Sequence, residues 1–310
     1  MTSRRPPPHA GRAPGYVVGV PRGSADRSPP RIALVTGAAS GIGRATVLRL
    51  IGRGDRVVAA DIDRAGLDGL ANHVGPAVVE PAHLDVRDAR AWDELVNRIV
   101  ADHGRLDVLV HAAGILSPTA GHRLDPETIE RLVDVNVKGT IHGANAAARA
   151  MLPRGRGNIV VVASMAALVP VPGISVYSAT KHAARAYALA LAQDLRPHGI
   201  FVSAVCPAVV ATPMMDQQID AEDAALTFSS RRPLTPEEVA RAIVERAIER
   251  GRLEVVVQVP GSGQALAAKL ANGFPSLAPR LGAFVRRRAA RRQAKLRARL
   301  RNDPSDSSVP

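Results

Sequence analysis

From Arg31 onward, short apolar runs alternate with longer stretches that mix apolar and charged positions. The run IALVTG (32–37) is apolar almost to its end and closes on glycine, as a strand buried on both faces does. A helical stretch follows at 42–53, then RVVAAD (56–61) and a helix near 64–74. The alternation continues with DVLVHAAG (107–114), a helix over about 126–150, NIVVVAS (158–164) and a helix over about 176–196. IFVSAVCP (200–207), a last helix near 235–250 and LEVVVQVP (253–260) complete it. This succession predicts an α/β fold: a Rossmann-like, doubly wound parallel sheet with helices on both faces. No self-similarity recurs with a period of roughly 20–50 residues. One domain over 31–262 accounts for the pattern.

Of the 310 residues, 46% are apolar and 3% aromatic, so the core must be built mainly from Val, Ala, Leu and Ile. The single cysteine, Cys206, excludes an internal disulfide and suits a reducing compartment. Near a strand end it reads as a small buried side chain. No run reaches the roughly 20 apolar residues of a membrane span. Pro and Arg interrupt residues 1–30 too often for a signal peptide. A cytoplasmic protein is expected.

The net charge of +13 sits at the two ends. Residues 1–30 hold five Arg and one Asp, and residues 286–301 hold eight Arg and one Lys with no acid. The basicity therefore belongs to the ends and not to the folded body. Seven prolines and four glycines within 1–30 predict a disordered, basic arm. Residues 263–310 read as a basic amphipathic extension outside the catalytic core. Leu277, Leu281, Phe284 and Val285 recur there at helical spacing, with Leu296 and Leu300 beyond the arginines. Three readings stand for 266–301: a solvated or oligomer-contacting helix, a helix lying on an anionic membrane surface as a peripheral contact, or a binder of nucleic-acid phosphates. Nucleic acid is the least favoured, because no aromatic interleaves the arginines to stack on bases.

The stretch TGAASGIGRA (36–45) lies where the first strand hands over to the first helix. Gly37, Gly41 and Gly43, with Ser40 and Ile42 between them, are the candidate pyrophosphate cradle. Glycine lets the backbone turn sharply and approach a phosphate, and the helix N-terminus offers free N–H groups and a positive dipole end. Asp61 ends the second strand, eighteen residues past Gly43, where a carboxylate would accept hydrogen bonds from an adenosine ribose and repel a 2′-phosphate. Ile62 and Ser40 carry no charge to welcome such a phosphate, so NAD(H) is preferred over NADP(H). Arg64 is the counterweight, being long enough to reach one.

At this point the chain resembles the short-chain dehydrogenase/reductase family, in its compact single-domain branch. The resemblance covers about 31–260, three quarters of the chain, and rests on several motifs in order. After the glycine motif come LDV (84–86), HAAG (111–114), DVNVKG (134–139), VVVASMAA around Ser164, YSATK (177–181) and CPAVVATPM (206–214). The resemblance implies that Asp85 and Val86 flank the adenine and that Ala112, Ala113 and Gly114 border a ribose of the cofactor. Pro207, Val210 and Thr212 would hold the nicotinamide end, with Thr212 on the carboxamide. It also implies a dimer or tetramer. Two positions depart from the family's usual residues: His111 where Asn is usual, and Ala208 where Gly is usual. His111 reads as a structural histidine, and Ala208 as a methyl beside the nicotinamide.

Hydride transfer to a carbonyl leaves an oxygen that must gain a proton. A free phenol has a pKa near 10, too high for efficient exchange at neutral pH. A cation fixed beside it lowers that pKa. Tyr177 and Lys181 are four apart on a predicted helix and share a face, so Tyr177 is the candidate acid/base and Lys181 its electrostatic partner. The resemblance adds that Lys181 binds the nicotinamide ribose, Ser164 hydrogen-bonds the substrate oxygen, and Asn136 holds a water that links Lys181 to solvent. No metal is called for. Tyr187, ten residues beyond Tyr177, has no Lys or Arg one turn on and reads as packing. Residues 213–233 fall where the family has its substrate lid. There Met214, Met215, Ile219, Leu226 and Phe228 read either as an apolar cover or as part of an ordinary mobile loop. The expected function is NAD(P)-dependent oxidation or reduction of a moderately large, apolar alcohol/ketone pair. A catalytically silent binding or regulatory protein on the same fold is the alternative.

Overall fold

The structure, a computed structural model, describes residues 30–75, 78–273 and 278–302. The predicted arm, save Pro30, lies outside the described residues, as do Leu277 and the side chains of Leu281, Phe284, Val285 and Leu300. Seven strands form one parallel sheet. β1 (Ile32–Thr36) pairs with β2 (Arg56–Asp61) on one side and β4 (Val108–His111) on the other. β3 (Val79–His83) is the edge strand beside β2. β5 (Gly157–Val162), β6 (Ile200–Pro207) and β7 (Glu254–Val257) extend the sheet in the other direction.

Each strand sends alternate residues to opposite faces. Ile32 and Leu34 enter the core under α3 (Ala89–His103), α5 (Gly139–Met151) and α6 (Ser175–Leu195). Ala33 and Val35 enter the core under α1 (Gly41–Ile51), α2 (Arg64–Val74) and α8 (Pro236–Ala242). Both faces are therefore covered, which is why the strands read as unbroken apolar runs. Among the described residues Trp92 is the largest fully buried side chain, in a core made mainly of aliphatic groups and alanine. The doubly wound α/β architecture is the one predicted.

Two elements are absent from that prediction, β3 and α3. β3 reads VEPAH, with only Val79 and Ala82 buried. At a sheet edge the missing N–H of Pro81 is tolerated, and the strand has no apolar run to betray it. α3 carries its buried face at Trp92, Leu95, Val96 and Ile99, a helical spacing that is legible in the sequence. The single helix expected over 126–150 is divided: α4 (Pro126–Val133) joins α5 through a π-helical turn, Asp134–Lys138.

The expectation that 263–310 stands outside the core also changes. α9 (Gln264–Gly273) buries Ala268 against Leu168 and Cys206, behind the segment that follows β5. α10 (Ala278–Asn302) lies on the segment 213–229, with Ala289 and Gln293 buried there. Small and polar residues at helical spacing made this contact, so hydrophobicity alone did not announce it. Among the described residues no helix is long and apolar enough to cross a membrane.

Candidate active site

β1 leads to helices on one face of the sheet and β4 to helices on the other. The crevice at the carboxyl ends of these two neighbours is where such a sheet receives a ligand. The glycine turn lies at its floor. A Cβ on Gly43 would sit 2.0 Å from the carbonyl oxygen of Gly37, so no side chain fits there. α1 opens at Gly41 with no side-chain cap from Ser40 and no acidic residue in its first turn. Its first N–H groups are left for an anion, so the turn, with Ile42 just inside it, fits a pyrophosphate. The methyl of Thr212 lies over Gly41, which brings the predicted nicotinamide end alongside the phosphate turn.

The Asp61 carboxylate accepts from Ala39 N at 3.0 Å and from Asp63 N at 3.0 Å, so it is fixed beside the turn. Each oxygen keeps a lone pair for a further donor. Ala113 N donates to Thr36 Oγ1 at 3.3 Å, which brings 112–114 against the end of β1. Asp85 is held by the Arg87 guanidinium at 2.6 Å, and that contact keeps its carboxyl below the usual carboxylate range. Val86 is buried, and its carbonyl accepts from Trp92 Nε1 at 3.0 Å. Pro207 closes β6 opposite Val257, and Val210 bridges to Leu234.

His111 is 1% exposed and ties β4 to β1, with Nδ1 3.0 Å from Thr36 Oγ1. Its Nε2 has no partner among the described residues, and its ring lies 5.7 Å from that of Trp92. Burial, aided by the charge of Lys181, pushes its pKa down to about 3. The ring is structural and neutral, as the sequence suggests, but only half satisfied. Ala208 is buried and its N–H donates to Val257 O at 2.9 Å. No described non-glycine residue has a positive φ, so alanine occupies the position without backbone strain.

Tyr177 lies in the first turn of α6 and Lys181 one turn on, both buried. Lys181 Nζ is 5.8 Å from the centre of the Tyr177 ring and donates to Val162 O at 3.1 Å. Ser164 lies two residues past β5, accepts from Ala166 N at 3.1 Å, and is near enough to the Tyr177 phenol to lower its pKa. Gly114 borders both Lys181 Nζ and Asn136 Oδ1. All the predicted proton-transfer residues therefore converge.

One expectation needs correction and another gains detail. The first is the phenol's pKa. Burial of Tyr177 pushes it up to about 12, against the smaller lowering from Ser164, and the ammonium does not reverse that. The cation lies over the ring, bound to a carbonyl, and is itself lowered to about 8 by burial. The second concerns Asn136. Its side chain is spent on protein groups: Oδ1 accepts from Ile115 N at 2.9 Å, and Nδ2 donates to Ile115 O at 2.9 Å and to Thr180 Oγ1 at 3.0 Å. The π-helical turn aims it inward to make these bonds.

The segment 213–229 covers the site, starting with α7 (Pro213–Ile219). Three of its bulky residues cluster away from Tyr177. Met215, Ile219 and Phe228 pack with Val209 and with Leu296 of α10. Met214 and Leu226 are half-buried. The apolar cluster that contains Tyr177 is made of Ala166, Ile174 and Ala224, with Leu116, Val171 and Ala221 packed against it. Alanine in a polar stretch carries no sequence signal of such a role. Tyr187, by contrast, donates to Asn145 Oδ1 at 2.7 Å and packs on the core, as expected.

Residues 31–223 match the short chain dehydrogenase family. The chain belongs to that family. The 3-oxoacyl-[acyl-carrier-protein] reductase FabG of Thermotoga maritima is 36% identical over 220 residues, 69% of this chain and 89% of its own. The 2-keto-3-deoxy-L-fuconate dehydrogenase of Xanthomonas campestris pv. campestris is 32% identical over 247 residues, 76% of this chain and 80% of its own. A solved short chain dehydrogenase from Mycobacterium paratuberculosis, bound to NAD, superposes with a TM-score of 0.68 at 30% identity, covering 76% of this chain and 98% of its own. This short chain dehydrogenase is an oxidoreductase with an NAD(P)-type fold. The family match ends at residue 223, so α9 and α10 lie beyond it.

Proposed function

We propose that the chain transfers a hydride between NAD(H) and a secondary alcohol/ketone pair. The observation that carries this reading is the convergence of Tyr177, Ser164 and Lys181 in one buried site at the mouth of the cofactor crevice. The nicotinamide supplies or accepts the hydride, and the protein handles the proton and the geometry. In reduction, Tyr177 gives its phenolic proton to the substrate oxygen while Ser164 donates a hydrogen bond to that oxygen. In oxidation the proton returns to Tyr177, which must first become a phenolate. Its raised pKa keeps it protonated in the covered state, so the acid form is the populated one and forming the phenolate base for oxidation is disfavoured. Lys181 holds the phenolate by charge and the nicotinamide ribose by hydrogen bond.

Asn136 anchors Ile115, so a relay water to Lys181 would use its backbone carbonyl instead of its side chain. Asp61 takes the adenosine ribose and sets the NAD(H) preference. Ala112, Ala113 and Gly114 border the cofactor's ribose, Asp85 and Val86 flank the adenine, and Pro207, Val210 and Thr212 hold the nicotinamide end. The substrate is a moderately large apolar alcohol or ketone, in keeping with the apolar residues clustered with Tyr177.

The test is a panel of secondary alcohols and ketones with NAD(H), read at 340 nm, for the full chain and for Tyr177→Phe. Turnover that disappears in the variant supports the reading. NADH binding without turnover on any member of the panel supports a silent binding protein instead.

A further inference from the structure

α7 is a short helix, and its last carbonyls have no partners within it. Backbone donors just beyond it serve some of them, Ala221 N to Gln218 O at 3.2 Å and, further on, Ala224 N to Ala221 O at 3.1 Å, and α10 adds side-chain donors. Gln293 Nε2 donates to Gln218 O at 3.0 Å and to Ala221 O at 2.8 Å. The Arg297 guanidinium donates to Ile219 O at 3.0 and 3.2 Å and pairs with Asp220 at 2.9 Å. A cation at a helix C-terminus is favoured by the dipole as well. Arg292 donates to Ser229 O at the far end of the segment. Leu296 fills the space between them, against Met215, Ile219 and Phe228.

Ala221 links this outer surface to the site. Its carbonyl accepts from Gln293, and its side chain packs in the cluster that contains Tyr177. The inner edge of the segment is tied down as well. Asp223 pairs with Arg123 and accepts from Ala120 N at 3.3 Å. Gly173 has φ +88, and a Cβ there would lie 1.8 Å from Asp223 O. The basic helix is thus divided by function. Arg292 and Arg297 turn toward the segment, while Arg287, Arg288, Arg291, Lys295 and Arg299 are exposed.

We propose that α10 is a latch on the substrate lid, with Gln293 and Arg297 as positioning residues that hold 213–229 closed over Tyr177. This rests on the reading of Tyr177 as the acid/base. The lid must part from Ala221's position to admit substrate, and the latch restores it. Nothing in the latch touches the glycine turn, and Thr212, which lies over that turn, stands at the opposite end of α7, so cofactor binding is expected to change little.

The test uses the full chain with Gln293→Ala, Arg297→Ala, both together, and Arg297→Lys, which keeps the charge and one donor. Amide hydrogen exchange reads the lid directly and needs no turnover. The double variant is expected to raise exchange over 213–229 by about 10-fold or more while β1, β4 and β5 stay as protected as before. KM for substrate is expected to rise about 10-fold with kcat within about two-fold and the Kd for NADH unchanged. Arg297→Lys is expected to recover part of both effects. Exchange and KM unchanged in the double variant overturn the latch. So does exchange that rises equally in the lid and the sheet, which would make α10 a general stabiliser. If the chain turns over no substrate at all, the exchange result still decides the latch, and the failure belongs to the proposed reaction.

Discussion

At the glycine turn, Gly43 leaves space that a single Cβ would close, 2.0 Å from the carbonyl of Gly37. At the lid, Ala221 is held by Gln293, a side chain 72 residues further along. The first half of the site is shaped by backbone and close packing between strand ends. The second is held by side-chain donors from a helix outside the matched part of the family. A backbone cradle tolerates almost no change, whereas a set of side-chain bonds can be weakened by degrees.

The substitution with the largest expected effect lies where the two halves meet. Tyr177→Phe removes the transferable proton and leaves the ring's packing, so turnover is expected to fall by about 10²–10⁴-fold with NADH affinity kept. Steady-state rates beside a binding titration check this, and a residual rate within ten-fold of the parent would show that another group carries the proton. Next is Gly43→Ala. The methyl collides with Gly37 and displaces the turn, and NADH affinity is expected to fall on the order of 10–100-fold by fluorescence titration. Retained affinity would mean that the cradle is softer than its contacts suggest.

Asp61→Ala removes a carboxylate from the same half without touching the turn's shape. The ratio of NADH to NADPH affinity is expected to drop about 10-fold. Equal affinities in the parent chain would already defeat the role given to Asp61. The smallest change at neutral pH is expected from His111→Asn. Folded, His111 has a pKa of about 3; unfolded, it has the ordinary value of 6.5. Between these values the unfolded chain binds a proton that the folded chain excludes. The neutral ring's contribution is therefore complete above pH 6.5 and is lost as the pH falls toward 3. Urea unfolding from pH 7 down to 4 is expected to show a shallower acid loss in the variant, and an unchanged slope would remove His111 as the cause.

Much of this was legible in the residues themselves. The run 32–37, the glycines after it and Asp61 lie within one strand–helix–strand unit, so their meeting follows from local geometry. Tyr177 and Lys181 share a helix face by spacing alone. β3 was hidden because an edge strand with Glu80 and Pro81 has no apolar signature. Asn136 was placed in the site, but its side-chain bonds were not foreseen, since they run to Ile115, on a loop that the spacing of DVNVKG does not reveal. The segment 213–233 was singled out, but Met215, Ile219 and Phe228 cluster with Leu296 of α10, while Ala221 and Ala224 belong to the cluster that contains Tyr177.

The sequence by itself determined the class of the fold, the place of the glycine turn and the candidate proton-transfer pair. These depend on neighbours in the chain and on periodicities that backbone geometry imposes. Tertiary structure alone decided how deeply that pair is buried. Burial drives the phenol of Tyr177 up to about 12 where a local reading of the lysine four residues on would bring it down. It also decided what covers the pair. Gln293 and Arg297 reach the carbonyls of the lid only because the folded chain lays its last described helix across α7, and no spacing along the sequence encodes that crossing.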